Sequence, residues 1–116
     1  MVVGLLTDEG ADRAFHALAD GTRRDIVRRT LDGEHSVSAL ARCYPMSFAA
    51  VQKHVAVLEQ AGLVTKQRTG REQLVRGNVD TVRRVTQLLD RFEAVWRGRI
   101  DRMGEILADD PKGGTR

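Results

Sequence analysis

The stretch from Met46 to Val64, MSFAAVQKHVAVLEQAGLV, sets Gln52, Lys53 and His54 side by side on a segment whose apolar residues Phe48, Val51, Val55 and Leu58 recur every three or four positions. That period makes a helix with one apolar face, so Gln52 and Lys53 must point away from it. An amide that both donates and accepts, an ammonium and an imidazole are groups for hydrogen bonding and charge recognition. Turnover has no comparable set. The chain contains no G-x-S-x-G elbow, no Walker loop, no H-E-x-x-H and no nucleophile placed near a base, which argues against an enzyme.

A second set of residues offers charge. Between Lys66 and Arg84 the chain places Lys66, Arg68, Arg71, Arg76, Arg83 and Arg84 against only Glu72 and Asp80, while the whole chain carries a formal net charge of +3. The excess is concentrated, which makes this segment the electrostatic candidate for a polyanionic partner. Arg23, Arg24, Arg28 and Arg29 form a further basic run, and an exposed helix face explains it as well as phosphate contact does.

Helix signals position the first set. "DRAFHALAD" gives a short amphipathic helix around Ala14, Phe15 and Leu18, closed by Gly21. Thr22 can then cap "RRDIVRRTLDG", with Asp25 in the reciprocal capping position and Gly33 as the stop. After His35, Ser36 can cap "VSALARCY", Pro45 breaks the chain, and Ser47 can cap the helix that carries Gln52 and ends at Gly62. The result is a helix, a tight turn and a second helix.

From Leu63 the period changes to two short extended runs separated by Thr69 and Gly70, a β-hairpin with a basic tip. Asn78 can cap a last, long segment in which Val82, Val85, Leu89, Phe92, Trp96, Ile100, Met103 and Leu107 recur at helical spacing, interrupted by Gly98 and Gly104. A helix of this length outruns what a chain of 116 residues covers by itself, so a second copy is the expected cover. Residues 1–11 are expected to be a flexible N-terminus, 12–108 one domain and 109–116 a disordered tail.

The bulk composition, 41% hydrophobic and 30% charged, is that of a globular protein. No run approaches the ~20 apolar residues of a membrane span, and the opening has no secretory-signal pattern. With the single cysteine, Cys43, ruling out an internal disulfide, a reducing cytoplasm is the expected location. Cys43 is read as a buried small hydrophobe in preference to a redox switch. His16 and His35 stand alone. Asp90, Glu93, Asp101 and Glu105 on the last helix are read as a solvated face among arginines in preference to a hard-metal site.

The order of elements is therefore α-α-α-α-β-β-α, mainly helical with a small β-hairpin, and it makes a winged helix-turn-helix. In that module the second helix of the turn enters the DNA major groove and the hairpin, or wing, reaches the backbone. Gln52 can pair bidentately with adenine, and Lys53 can contact guanine or a phosphate. Phe48 either continues the apolar stripe or rests on a thymine methyl group. His54 is equally open to a structural hydrogen bond and a phosphate contact.

The chain resembles the ArsR/SmtB family of bacterial repressors through "ALADGTRRDIV", "SVSALA", "AAVQKHVAVLEQAGLV" and "TGR", in that order from Asp12 to Val85. The resemblance implies a homodimer paired through first and last helices, placing Phe15, Leu18, Val85, Leu89, Phe92, Trp96, Ile100 and Met103 at the interface. It implies double-stranded operator DNA as partner, met by Ala49, Gln52, Lys53 and His54 on the recognition helix and by Arg68 and Arg71 on the wing; Ser47 and Phe48 at the helix start and Lys66 on the hairpin are added as candidate contacts from their own positions. The family's cysteine metal ligands would fall at Ser36 and Ser38, and hydroxyls are poor ligands for soft metals. No His follows His54, so the family's other common metal site lacks its histidines as well. The reading is then a dimeric repressor with no cofactor and no classical metal site, its effector unidentified. A regulator answering to metal through other ligands, or to oxidants through Cys43, is the alternative. A winged helix serving only protein contacts would want an acidic or apolar outer face, which this chain does not have.

Overall fold

The computed structural model describes residues 6–108. Its elements are helices α1 (Asp8–Leu18) and α2 (Gly21–Asp32), strand β1 (His35–Ser36), helices α3 (Val37–Ala41) and α4 (Phe48–Gln60), strands β2 (Val64–Thr69) and β3 (Glu72–Gly77), and helix α5 (Val79–Ala108). The helix-turn-helix is α3–α4, and β2 and β3 form the wing. The expected tail and most of the expected flexible N-terminus, residues 109–116 and 1–5, lie outside the described residues.

Three helix starts differ in an informative way. At the first, α1 starts one turn before Asp12, because Thr7 caps it by accepting from the Gly10 amide at 3.0 Å, and Asp8 and Glu9 sit in the favourable first turn. At the second, α2 is capped by Asp20 and not by Thr22: its carboxylate accepts from the Arg23 amide at 3.0 Å, a hydrogen bond that holds it below the usual carboxylate value. Asp25, released from the capping role, does something else, described below. At the third, Ser36 caps α3 as expected, accepting from Ala39 at 3.0 Å.

The hairpin closes through Gly70 and Arg71, since Thr69 pairs with Glu72. Gly70 has φ of +64° and no non-glycine residue has positive φ among the described residues, the pattern of a two-residue turn with glycine first. Beside the hairpin lies β1, a strand too short to leave a sequence signal; it pairs antiparallel with β3, His35 opposite Val75 and Ser36 opposite Leu74. The sheet thus has three strands in the order β1-β3-β2. Gly77 at the end of β3 is needed by packing: a Cβ there would come within 2.7 Å of the Leu31 side chain and 2.9 Å of its backbone nitrogen.

The core joins these pieces. Ile26 of α2, Leu40 of α3, Val51, Val55 and Leu58 of α4, Leu63, Val64 and Val75 are all essentially inaccessible to solvent. Each such side chain contributes roughly 1.5–3 kcal/mol of burial, and their shared cluster fixes α4 against α2, α3 and the sheet. Phe48, first in the apolar stripe, departs from it and remains 46% exposed.

The chain divides into two units at Val85 and Thr86, within α5. In the first, α5 opens with Asn78 accepting from the Asp80 amide at 3.1 Å and buries Thr81 and Val85. In the second, α5 continues unbroken through Gly98 and Gly104, and Leu89, Phe92, Trp96, Ile100 and Met103 are about half exposed or more. Among the described residues no helix is long and apolar enough to cross a membrane.

Candidate nucleic-acid interface

Ser47 sets the start of α4: its hydroxyl accepts from the Ala50 amide at 3.1 Å. With Val51, Val55 and Leu58 anchored in the core, the helix turns Ala49, Gln52 and Lys53 to solvent. Neither Gln52 nor Lys53 has a hydrogen bond or ion pair to the rest of the described chain, so both keep their full capacity for an external partner. The wing comes close to this face. Phe48 and Gln52 of α4, Ser38 of α3, and Arg68 and Arg71 of the wing line one cleft of about 160 Å³.

The cations of the electrostatic segment separate into two groups. Lys66 is held 3.5 Å from Glu59, Arg76 pairs with Glu34, and Arg83 lies 3.8 Å from Asp80. Arg68 and Arg71 are exposed and have no such carboxylate. Lys66, expected on the DNA-facing wing, lies within ion-pair distance of Glu59 on α4, and Arg71, in the turn, has no ion pair among the described residues.

His54 has a structural partner that leaves one nitrogen free. Arg23 approaches its Nδ1 at 3.2 Å, and because a guanidinium only donates, Nδ1 must accept and the ring proton must sit on Nε2. The same Arg23 donates through Nε to the Ala17 carbonyl at 2.7 Å and through Nη2 to that of His16 at 3.2 Å. Arg24 reaches the Leu18 carbonyl at 2.7 Å. Both arginines satisfy carbonyls at the end of α1, and Arg23 also ties the recognition helix to the α1–α2 corner.

Arg28 and Arg29 are likewise occupied. Asp25 accepts from Arg28 at 2.6 Å, from Arg29 at 2.7 Å and from the Tyr44 hydroxyl at 2.6 Å. The Arg29 guanidinium also lies 5.7 Å from the centre of the Tyr44 ring. The Tyr44 hydroxyl first, then the two arginines, hold the Asp25 carboxyl far below its usual range, while burial and the Asp25 charge push the Tyr44 phenol up to about 12. This clamp joins α2 to the turn that precedes the recognition helix.

Cys43 is exposed, contrary to its expected burial, because α3 ends at Ala41 and only Val37 and Leu40 of that helix face the core; the thiol donates to the Ala39 carbonyl at 3.4 Å. Ser36 is engaged in capping, and among the described residues no three of His, Cys, Asp and Glu gather as a metal-ligating group. Of the expected interface residues, Phe15 and the α5 residues from Leu89 to Met103 are exposed, whereas Leu18 packs on the core and Val85 is 8% exposed.

A helix-turn-helix packed on a small sheet, with an unencumbered polar helix face beside a cationic hairpin tip, defines a winged helix-turn-helix DNA-binding domain. Comparison with known proteins agrees: a helix-turn-helix domain family matches residues 18–67. The chain is 41% identical over 86 residues to the HTH-type transcriptional regulator Rv2034 of Mycobacterium tuberculosis, covering 74% of this chain and 80% of that protein. An ArsR-like transcriptional regulator from Rhodococcus sp. RHA1 superposes with a TM-score of 0.74 at 31% identity, over 84% of this chain and 92% of that one. The homodimeric winged helix-turn-helix DNA-binding domain Mb0332 of Mycobacterium bovis, a possible ArsR-family regulator, gives a TM-score of 0.62 at 27% identity, over 73% of this chain and 80% of that one. The chain belongs to the ArsR family of winged helix-turn-helix transcriptional regulators, which are not enzymes.

Proposed function

We propose that this regulator acts in the cytoplasm as a homodimeric repressor that occupies a palindromic operator. The observation that carries the reading is a set of polar groups without an ion pair among the described residues: Gln52 lines one cleft with Arg68 and Arg71 of the wing, and Lys53 follows Gln52 on the exposed face of α4. Gln52 and Lys53 have the chemistry of base edges and Arg68 and Arg71 that of phosphates. Ala49 and the exposed part of Phe48 supply apolar contact, and the free Nε2–H of His54 is a further donor toward the backbone. Ser47 contributes through the helix start it caps.

The dimer is supported by the α5 stripe. Five large apolar residues, Leu89, Phe92, Trp96, Ile100 and Met103, together with Phe15 on α1, lie exposed at positions that a second copy would cover. Two recognition helices related by a two-fold axis would meet successive major grooves about 34 Å apart, so half-sites should repeat at about one helical turn.

Fluorescence anisotropy against the chain's own upstream DNA and a scrambled duplex at physiological salt tests the reading. The native fragment is expected to bind ~1,000-fold tighter or more. Equal and weak binding of both duplexes would contradict it. The exposure of Cys43 supports a second reading in which an oxidant relieves repression; a Cys43→Ser variant that responds to peroxide as the parent does would sink it.

A further inference from the structure

Away from the DNA face, the first unit holds a hollow of about 280 Å³ that the function described so far does not use. Arg13 of α1, Gln60 and Gly62 at the end of α4, and Thr81 and Arg84 of the first turns of α5 line it. Neither arginine has a carboxylate partner, and no Asp or Glu lines the hollow among the described residues. The Arg84 Nε–H is buried and has no hydrogen-bond partner among the described residues. A buried donor without an acceptor is rare in a folded protein and requires explanation. The lining of the hollow is chemically specific: two guanidiniums, the Gln60 amide and the Thr81 side chain border the same space.

We propose that this hollow binds a small oxyanion, a phosphate or carboxylate compound, with Arg84 as its principal contact and Arg13 closing over it. The planar guanidinium fork matches two oxygens of such a group, and the volume suits a compact one. Gln60 is the last residue of α4, so the ligand's wall is the end of the recognition helix itself. Occupancy therefore bears on how α4 is held, and the anion is the regulator's effector. The site stands on its own geometry; its coupling to DNA rests on the reading given above.

The test is an NMR titration of the nitrogen-15-labelled full chain with sodium phosphate, and separately with succinate, against sodium chloride at matched ionic strength. Saturable shifts of the Gly62 amide and the Arg84 Nε–H with phosphate or succinate, absent with chloride, are expected, and the probe that saturates first assigns the headgroup. Arg84→Gln should weaken that binding ~10-fold or more, with Arg84→Lys between the two. Should Arg84→Gln fail to fold, Arg13→Gln, at an exposed position, should weaken it several-fold. Shifts that never saturate, or that persist unchanged in these variants, would overturn the site. So would loss of self-association by Arg84→Gln with no anion titrating, since a carboxylate of a second copy would then be the occupant.

For the regulatory half, the saturating anion should change affinity for the upstream DNA several-fold in the parent but not in Arg84→Gln. An equal change in both is plain salt competition and overturns the coupling. If neither protein binds DNA, the regulator reading fails while the titration still decides the site.

Discussion

Helix α2 and the pairing of α4 with the wing carry similar cationic side chains and use them in opposite ways. On α2, Arg23 and Arg24 bind carbonyls that end α1, while Arg28 and Arg29 share Asp25. On α4 and the wing, Lys53, Arg68 and Arg71 have no hydrogen bond or ion pair among the described residues. The difference teaches that a basic run is not evidence of DNA contact until its internal acceptors are counted. Where a carboxylate or a helix end lies within reach, arginine holds the fold; where none does, it is available to a phosphate. Lys66 shows the boundary, since Glu59 at 3.5 Å takes it out of the free set although it lies on the wing.

The largest effect should come from removing one whole copy of the free set. Phe92→Asp places a charge in the exposed stripe of α5 and should yield monomers, with operator affinity down ~100-fold or more as the second half-site contact becomes intermolecular. Sedimentation and anisotropy on the same sample check it, and a dimer that persists would show that the stripe is not the seam.

Next in size is the clamp on α2. Asp25→Ala leaves two arginines and the Tyr44 hydroxyl without their acceptor and should cost roughly 2–3 kcal/mol in urea unfolding. The pH dependence follows in sign. The Asp25 carboxyl is depressed in the folded state, so its contribution is present above the ordinary carboxylate value near 4 and is lost as pH falls toward its folded value. The parent should therefore lose stability on acidification more steeply than Asp25→Ala, and parallel acid limbs would contradict the clamp.

Lys53→Ala should behave in the opposite manner, with stability unchanged within ~0.5 kcal/mol and operator affinity reduced by roughly 1–3 kcal/mol. The smallest effect belongs to the wing. Arg71→Ala should lower the slope of log affinity against log salt by about one, with little change in sequence preference. An unchanged slope would remove Arg71 from the phosphate contacts.

The elements were legible where their causes are local. The stripe Val51, Val55, Leu58 is a period-3.6 pattern, Ser36 and Ser47 are caps next to their own helices, and Gly70 announces its turn. What was not legible depends on partners far along the chain. The three-strand sheet needed β3 to find His35 and Ser36; the role of Arg23 depended on His54, 31 positions away. Thr22 was the cap read from the sequence, whereas α2 starts at Gly21 and takes its cap from Asp20. Cys43 was misplaced because its burial was read from the habit of free cysteines near a helix end, and α3 stops short of it. At the candidate interface the outer face of α4 was readable from spacing alone, but which cations stay free was not, because that is decided by Glu59, Glu34 and Asp25.

The central claim is that partner-free side chains on α4 read base edges. It is tested most directly by measuring Gln52→Ala against the operator and a complete set of its single-base variants at fixed salt. The account predicts a loss of roughly 1–3 kcal/mol that disappears at one base pair in each half-site, where the variant no longer discriminates. A loss spread evenly over all sequences, or no loss at all, would mean that this face does not read sequence.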